Sequence, residues 1–431
     1  MREPAVTPVP SLAVDGAPPV RTTPLPLEFP GVYRIDEEEI EAVTRVLRSR
    51  SLFRYYGLDL QKETDSFEAE FSRFIGTDHA LAVASGTAAL QTALAALGVG
   101  PGDEVIVPAY FWVSVAAAVV DLGAIPVLSD IDETFCLDPR AVERQITPRT
   151  RGIVLVHMSG APGDAPAVLQ VARAHGLFLL EDCAQCAGGS IHGRRVGTFG
   201  DMAIFSFQMN KNMTSGEGGC VVTSNSTLYR KAFAAHDLGY ARDENGRLVL
   251  DDGEFTTWGR GCRIDELRAA ILRVQLRKLP LTIQAMNRSK YRVRKALERF
   301  PGVHLRKIQD PAGDTGCFLI TTYADAATAR RVNTALRAEG LVTSPQGVSD
   351  IVMTDWGLHL YYNNVSLVNR RGLAWRLSEN AGLERDYAKG ACPVADSLFE
   401  RSILLPIPSC LTGKDEDQII EAFEKVLEAL L

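Results

Sequence analysis

The chain has 431 residues, 46% of them hydrophobic and 23% charged, with a formal net charge of −7. That is two or three domains' worth of sequence with ample apolar material for a large core. The charges are mixed rather than blocked, which argues against a nucleic-acid or anionic-membrane surface, and no stretch approaches the roughly 18 apolar residues of a membrane helix.

The first 34 residues are proline-rich and lack the apolar core of about 7–15 residues that marks a secretory signal, so an extended arm on a soluble cytoplasmic protein is expected. From Ile35 the chain alternates helix and strand signals, the pattern of an α/β domain with a largely parallel sheet. Asp36 caps a first helix carrying Ile40, Val43, Val46 and Leu47, and Phe67, Phe71, Phe74 and Ile75 repeat helical spacing in a second. Seven strands are read at residues 80–84, 104–108, 125–129, 153–157, 177–182, 203–207 and 219–223. The polar segment Gly239–Phe255 reads as an exposed loop with a hairpin, and residues 265–279 and 286–300 as two strong helices. The large domain is therefore expected to span residues 35–285. A smaller C-terminal α+β domain, 286–431, has short strands at 317–321 and 403–406 and a closing helix at 415–430.

Four motifs fall at strand ends, where ligands bind open α/β sheets. Ser85-Gly86-Thr87 opens an alanine-rich helix and fits both an ordinary cap and an anion site built from backbone N–H groups. Pro108-Ala109-Tyr110-Phe111-Trp112 offers rings for a core or for stacking on a flat heterocycle. Glu181 and Asp182 end an apolar run, and two carboxylates there call for a cationic partner. The adjacent Cys183-Ala184-Gln185-Cys186 is the one close pair among eight cysteines. With no second pair or HxxxH nearby, it reads as packing thiols, and no metal is expected. Lys211 lies on a short connector between a buried strand and the turn Gly216–Gly219, where desolvation lowers an amine's pKa and frees it as a Schiff-base nucleophile.

An anion cradle, an aromatic lid, a carboxylate and a lysine together describe pyridoxal 5′-phosphate. From about Ile35 to the C-terminus, including Cys392–Asp396 and residues 404–412, the chain resembles the DegT/StrS-type sugar aminotransferases, fold-type I pyridoxal-phosphate enzymes. The resemblance implies that Lys211 bonds the cofactor aldehyde and shuttles a proton, that Asp182 keeps the pyridine nitrogen protonated, and that Gln185 bonds the ring's phenolate oxygen. Gly86, Thr87 and Ser206 match phosphate binders, and Trp112 matches the stacking aromatic. It implies a homodimer moving an amino group from glutamate or glutamine to a keto-sugar or keto-cyclitol, with no nucleic acid or membrane partner. Retention of Lys211 argues against the family's dehydratases, which carry histidine there. A 3-amino-5-hydroxybenzoate synthase-like dehydratase keeps the lysine and stays open, as does a silent partner subunit. One position departs from the pattern: where the family has G-x-N-x-R-M, with its asparagine reaching the partner's phosphate, this chain has Gly259-Arg260-Gly261-Cys262-Arg263-Ile264, and Arg260 is the candidate replacement. In the Trp356–Asn364 loop, His359, Tyr361 and Asn363 join Tyr110 as candidate pocket residues.

Overall fold

The computed structural model describes residues 11–250, 253–344 and 350–431. The first ten residues of the expected arm and Asp251 and Asp252 of the expected loop lie outside the described residues.

Seven strands, β1 (His79–Val83), β2 (Glu104–Pro108), β3 (Ile125–Ser129), β4 (Thr150–Val156), β5 (Phe178–Asp182), β6 (Met202–Ser206) and β7 (Gly219–Thr223), form one sheet in the order β1-β7-β6-β5-β4-β2-β3. The run from β3 to β6 is parallel, and β7 lies antiparallel to both β6 and β1. The mostly parallel sheet read from the sequence is thus present. Its strands are apolar on both faces because helices cover both. Helices α1 (Glu37–Ser49) and α2 (Glu63–Ile75) precede β1. Val105, Val107, Val154, Val156 and Leu180 pack toward α3 (Gly86–Ala96) and α4 (Ser114–Asp121), whereas Ile106, Ile153, Leu155 and Leu179 pack toward the helices Pro139–Gln145 and Ala165–Ala174. Alternate residues of one strand therefore serve opposite faces.

Local chemistry sets the helix starts. Asp36 accepts from Glu38 N–H and shares a capping box with Glu39 at the head of Glu37–Ser49, and Ser85 accepts from Ala88 N–H at the head of α3.

The two expected helices at 265–279 and 286–300 are one, Glu266–Leu297, which passes through Pro280. A proline inside a helix costs about 3 kcal/mol. Tertiary packing offsets it, because Leu272, Leu276 and Leu279 are buried in the core beneath β6 and β7, while Met286, Val293 and Leu297 are buried in a second core. That second core surrounds a four-stranded sheet, His304–Leu305, Phe318–Thr322, Ser402–Pro406 and Ile351–Val352, backed by the helices Ala326–Ala338 and Gly413–Leu430. Leu12 and Leu25 are buried in it, so the described part of the N-terminal segment is packed rather than free. The loop from Gly239 carries the expected hairpin, with Ala241–Arg242 paired to Leu248–Val249.

Candidate active site

A cavity of about 360 Å³ opens at the carboxyl ends of the parallel strands. Of the residues singled out in the sequence, Gly86, Thr87, Trp112, Asp182, Gln185, Ser206, Lys211 and His359 line it.

One end is the head of α3. Ser85 spends its side chain on Ala88 N–H, which leaves the first helical residues, Gly86 and Thr87, on the cavity wall at the positive end of the helix. Ser206, the last residue of β6, closes against them. A Cβ at residue 86 would stand 2.7 Å from Ser206 Cβ, so only glycine permits this approach of hydroxyl to amide. Thr87 Oγ1 is 2.7 Å from Ser114 Oγ.

At the other end Asp182 closes β5. It is buried, and Oδ1 accepts from Ala184 N–H at 2.9 Å. Burial pushes its carboxyl pKa up, against the Ala184 amide, Lys211 and His157. Lys211 sits on the connector between β6 and β7, whose backbone is pinned where Gly31 N–H reaches Lys211 carbonyl oxygen at 3.0 Å and Thr214 Oγ1 donates to Phe207 carbonyl oxygen at 3.0 Å. Burial lowers the amine's pKa and the nearby Asp182 carboxylate opposes this. Desolvation that favours the neutral form is what a reactive amine needs.

Glu181 tells a different story from the one its sequence position suggested. Among the described residues, no lysine or arginine meets it. Its Oε1 accepts from Phe199 and Gly200 N–H at 2.7 Å each, and its Oε2 from Gly197 N–H at 2.9 Å and His157 Nε2 at 3.0 Å. His157, Glu181 and Cys183 bring ligand-type atoms within 4.8 Å of one another, but these bonds already occupy the carboxylate.

The aromatic candidates separate. Trp112 is 44% exposed on the cavity rim, 4.9 Å from the His359 ring. Tyr110 is fully buried and pairs its hydroxyl with Ser159 Oγ at 2.8 Å, and Tyr361 is fully buried with its hydroxyl on Asp396, so neither lines the cavity. Asn363 donates to Gly357 carbonyl oxygen and borders a second cavity of about 520 Å³ beside α4. Arg260 is exposed and does not line the cavity of its own chain. Gly261 beside it has φ +65° with no atom within 4 Å of a built Cβ, and this left-handed conformation is one that asparagine also adopts.

Sequence reasoning missed Glu28 and Pro30 from the N-terminal segment, and Cys317, Phe318 and Ile407 from the second sheet, all on the cavity wall. These come from far along the chain and carry no local motif.

The donor set fits pyridoxal phosphate: a glycine-permitted amide cradle for the phosphate, a carboxylate for the ring nitrogen, the Gln185 amide and the Lys211 amine, all on one cavity wall. A family model, the DegT/DnrJ/EryC1/StrS aminotransferase family, matches residues 33–348. The chain belongs to that family. Its cofactor is pyridoxal 5′-phosphate, and the fold is that of the fold-type I enzymes. Among relatives, an L-glutamine:2-deoxy-scyllo-inosose aminotransferase of Streptoalloteichus tenebrarius is 41% identical over 274 residues, 62% of this chain and 63% of that protein. A 3-amino-5-hydroxybenzoate synthase of Amycolatopsis mediterranei is 40% identical over 255 residues, 58% of this chain and 63% of that one. The chain thus matches about three-fifths of the length of such curated relatives. The crystal structure of S. venezuelae DesV in complex with a ketimine intermediate superposes with TM-score 0.76 at 31% identity, covering 94% of this chain and 99% of that chain. Among the described residues, no helix is long and apolar enough to cross a membrane.

Proposed function

We propose that this protein is a pyridoxal-phosphate-dependent aminotransferase that moves the amino group of glutamate or glutamine to a keto-sugar or keto-cyclitol, and that it works in the cytoplasm. One observation carries the reading: a half-buried lysine with a depressed pKa and a buried carboxylate with a single backbone hydrogen-bond donor share a cavity whose far end is a helix N-terminus. Similarity to the glutamine:inosose aminotransferase supports the substrate classes.

Bound there, pyridoxal phosphate supplies an aldehyde that takes up amines and a ring that withdraws electrons from the carbon being deprotonated. The chain does the rest. Gly86, Thr87 and Ser206 hold the phosphate at the head of α3. Asp182 would keep a proton on the ring nitrogen, Gln185 would donate to the phenolate oxygen, and Trp112 would cover the ring. Lys211 Nζ would hold the cofactor and, once displaced by substrate, would be the group on the cavity wall that takes up and returns a proton.

We propose a homodimer in which the Gly259–Ile264 segment reaches the partner's cofactor and Arg260 contacts its phosphate. Trp258, next to this segment in the chain, is 92% exposed. Arg260→Ala weakens cofactor retention more than Arg376→Ala does, both residues being exposed. Full activity from a species sedimenting as a monomer overturns the dimer. Unchanged retention in Arg260→Ala removes only the arginine's role.

The test of the function is reduction of the cofactor-loaded protein with borohydride, followed by peptide mapping and a donor screen by absorbance. The adduct is expected on Lys211, Lys211→Ala abolishes turnover, and glutamine or glutamate converts the absorbance. An adduct on another lysine, or no bound cofactor, overturns the assignment. Loss of water to give an aromatic amine, with no nitrogen transfer, points instead to the synthase-like reading that the Amycolatopsis relative supports.

A further inference from the structure

We infer that His359 is a positioning residue for Gln185, fixing which end of that amide faces the cofactor; the inference rests on the function proposed above. The orientation of a side-chain amide is normally a choice between two near-equal images, O and N exchanged. Here both images are constrained. Gln185 Oε1 accepts from Ser159 N–H at 3.0 Å, so the amide nitrogen points the other way, 3.3 Å from His359 Nε2.

The histidine's own state follows from its second nitrogen. Nδ1 stands 3.0 Å from Trp356 carbonyl oxygen, which can only accept, so the ring proton is on Nδ1 and Nε2 presents a lone pair. Gln185 Nε2 therefore donates one N–H to His359, and its second N–H is left for the cavity that both residues line. Were Nε2 protonated, it would oppose the amide donor and favour the flipped image, which in turn would set the amide nitrogen against Ser159 N–H. Burial holds the imidazole neutral, its pKa lowered to about 3, with Lys211 pushing the same way.

Both supports are built in. His359 stacks on Trp356 with ring centroids 4.3 Å apart and planes 9° from parallel. Its loop is hooked to the segment after β2 by Phe111 N–H on His359 carbonyl oxygen at 3.1 Å and by the bridge between Tyr110 and Leu360. On the other side Ser159 is held at φ +53°, unusual for a residue with a side chain. Tyr110 on its Oγ and the Arg306 guanidinium on its carbonyl oxygen keep it there. Among the described residues, Lys211 acts on the imidazole, Tyr110 stands 6.4 Å from it between ring centroids, and Asp182, Glu217 and Cys317 line the same cavity. Tyr110 is buried with its pKa raised above the usual range for a phenol.

An N–H aimed at the phenolate oxygen favours its ionised form, so the lysine-bound cofactor changes its absorbance at lower pH with that donor than without it. The experiment compares wild type, His359→Phe, which keeps a stacking ring without an acceptor, and His359→Gln, whose carbonyl oxygen can occupy the Nε2 position. The holoenzymes are titrated by visible absorbance, and cofactor dissociation is measured separately. His359→Phe should move the absorbance midpoint up by about one pH unit, the worth of one hydrogen bond, and His359→Gln should restore most of it. A midpoint unchanged in His359→Phe overturns the inference, as does an equal shift in both variants. If His359→Phe does not fold, ¹⁵N chemical shifts of the wild-type holoenzyme decide: a proton on Nδ1 across pH 5–9 supports the assignment, and one on Nε2 overturns it. Failure of the underlying reading looks different, since then no lysine-bound band exists in the wild type.

Discussion

Glu181 and Asp182 are neighbours at the end of one strand, both buried, yet they belong to different structures. Strand alternation turns Glu181 to the face of β5 shared by Leu179, and Asp182 to the face shared by Leu180 and α3. On its face Glu181 receives three backbone N–H groups and an imidazole. Its task is to stitch the loop through residues 197–200 to the sheet. Asp182 receives one backbone N–H and otherwise looks into a cavity that also holds Lys211. A buried carboxylate satisfied by backbone is structural, whereas one left short of partners beside an amine is waiting for a ligand.

The largest effect that tests this contrast is on rate. Asp182→Asn keeps the shape and the Ala184 contact but cannot hold a proton on the ring nitrogen by charge. The half-reaction is expected to slow by about a hundredfold or more. Pre-steady-state absorbance with the amino donor measures it, and a near-normal rate would break the contrast from the catalytic side.

The next effect is on stability. Glu181→Gln replaces one acceptor oxygen with an N–H₂ group, which faces either the Phe199 and Gly200 amides or the Gly197 amide and His157. Whichever way it turns, at least one buried backbone donor loses its acceptor. A loss of about 2–4 kcal/mol is expected in denaturant unfolding. The half-reaction rate of the folded fraction stays within a few-fold of wild type. A rate loss as large as that of Asp182→Asn with no change in unfolding would reverse the two roles.

This contrast marks how far the sequence could be read. Apolar runs bounded by turn residues located all seven strands, because strands buried on both faces announce themselves without needing a partner. Only β4 started well ahead of its reading, at Thr150, whose polar Thr-Arg opening carries no apolar signal. The two helices read at 265–279 and 286–300 are one through Pro280, because packing on both sides of the proline holds it. Within the site, most residues legible in sequence were those in strand-to-loop motifs, Gly86, Thr87, Trp112, Asp182, Gln185, Ser206 and Lys211, with His359 from the Trp356–Asn364 loop. Pairing distances along the chain were not legible. Ile407 reaches the cavity from the second sheet and Glu28 from the N-terminal segment, and nothing near either residue announces it. Nor could the sequence say which of two adjacent carboxylates is satisfied, since the amides that satisfy Glu181 are 16 to 19 residues away in a loop with no motif of its own.

The smallest expected effect is a pH dependence in the protein freed of cofactor. Burial raises the Asp182 pKa in the folded state above its value in the unfolded chain. A carboxyl shifted in that direction adds stability that is fully present below the ordinary carboxylate range and is lost as pH rises through the raised folded pKa, because the folded state then has to hold a buried charge. An asparagine side chain in its place would carry no charge at any pH and could keep its oxygen on Ala184 N–H. The cofactor-free Asp182→Asn variant is therefore expected to match wild type near pH 4 and to gain on it as pH rises to about 8. Thermal unfolding of both proteins after cofactor removal, at a series of pH values in constant salt, measures the difference. Glu181→Gln should remain less stable than wild type throughout this range. If Asp182→Asn instead falls progressively below wild type as pH rises, the Asp182 carboxylate is supporting the fold, and the distinction between the two neighbours fails.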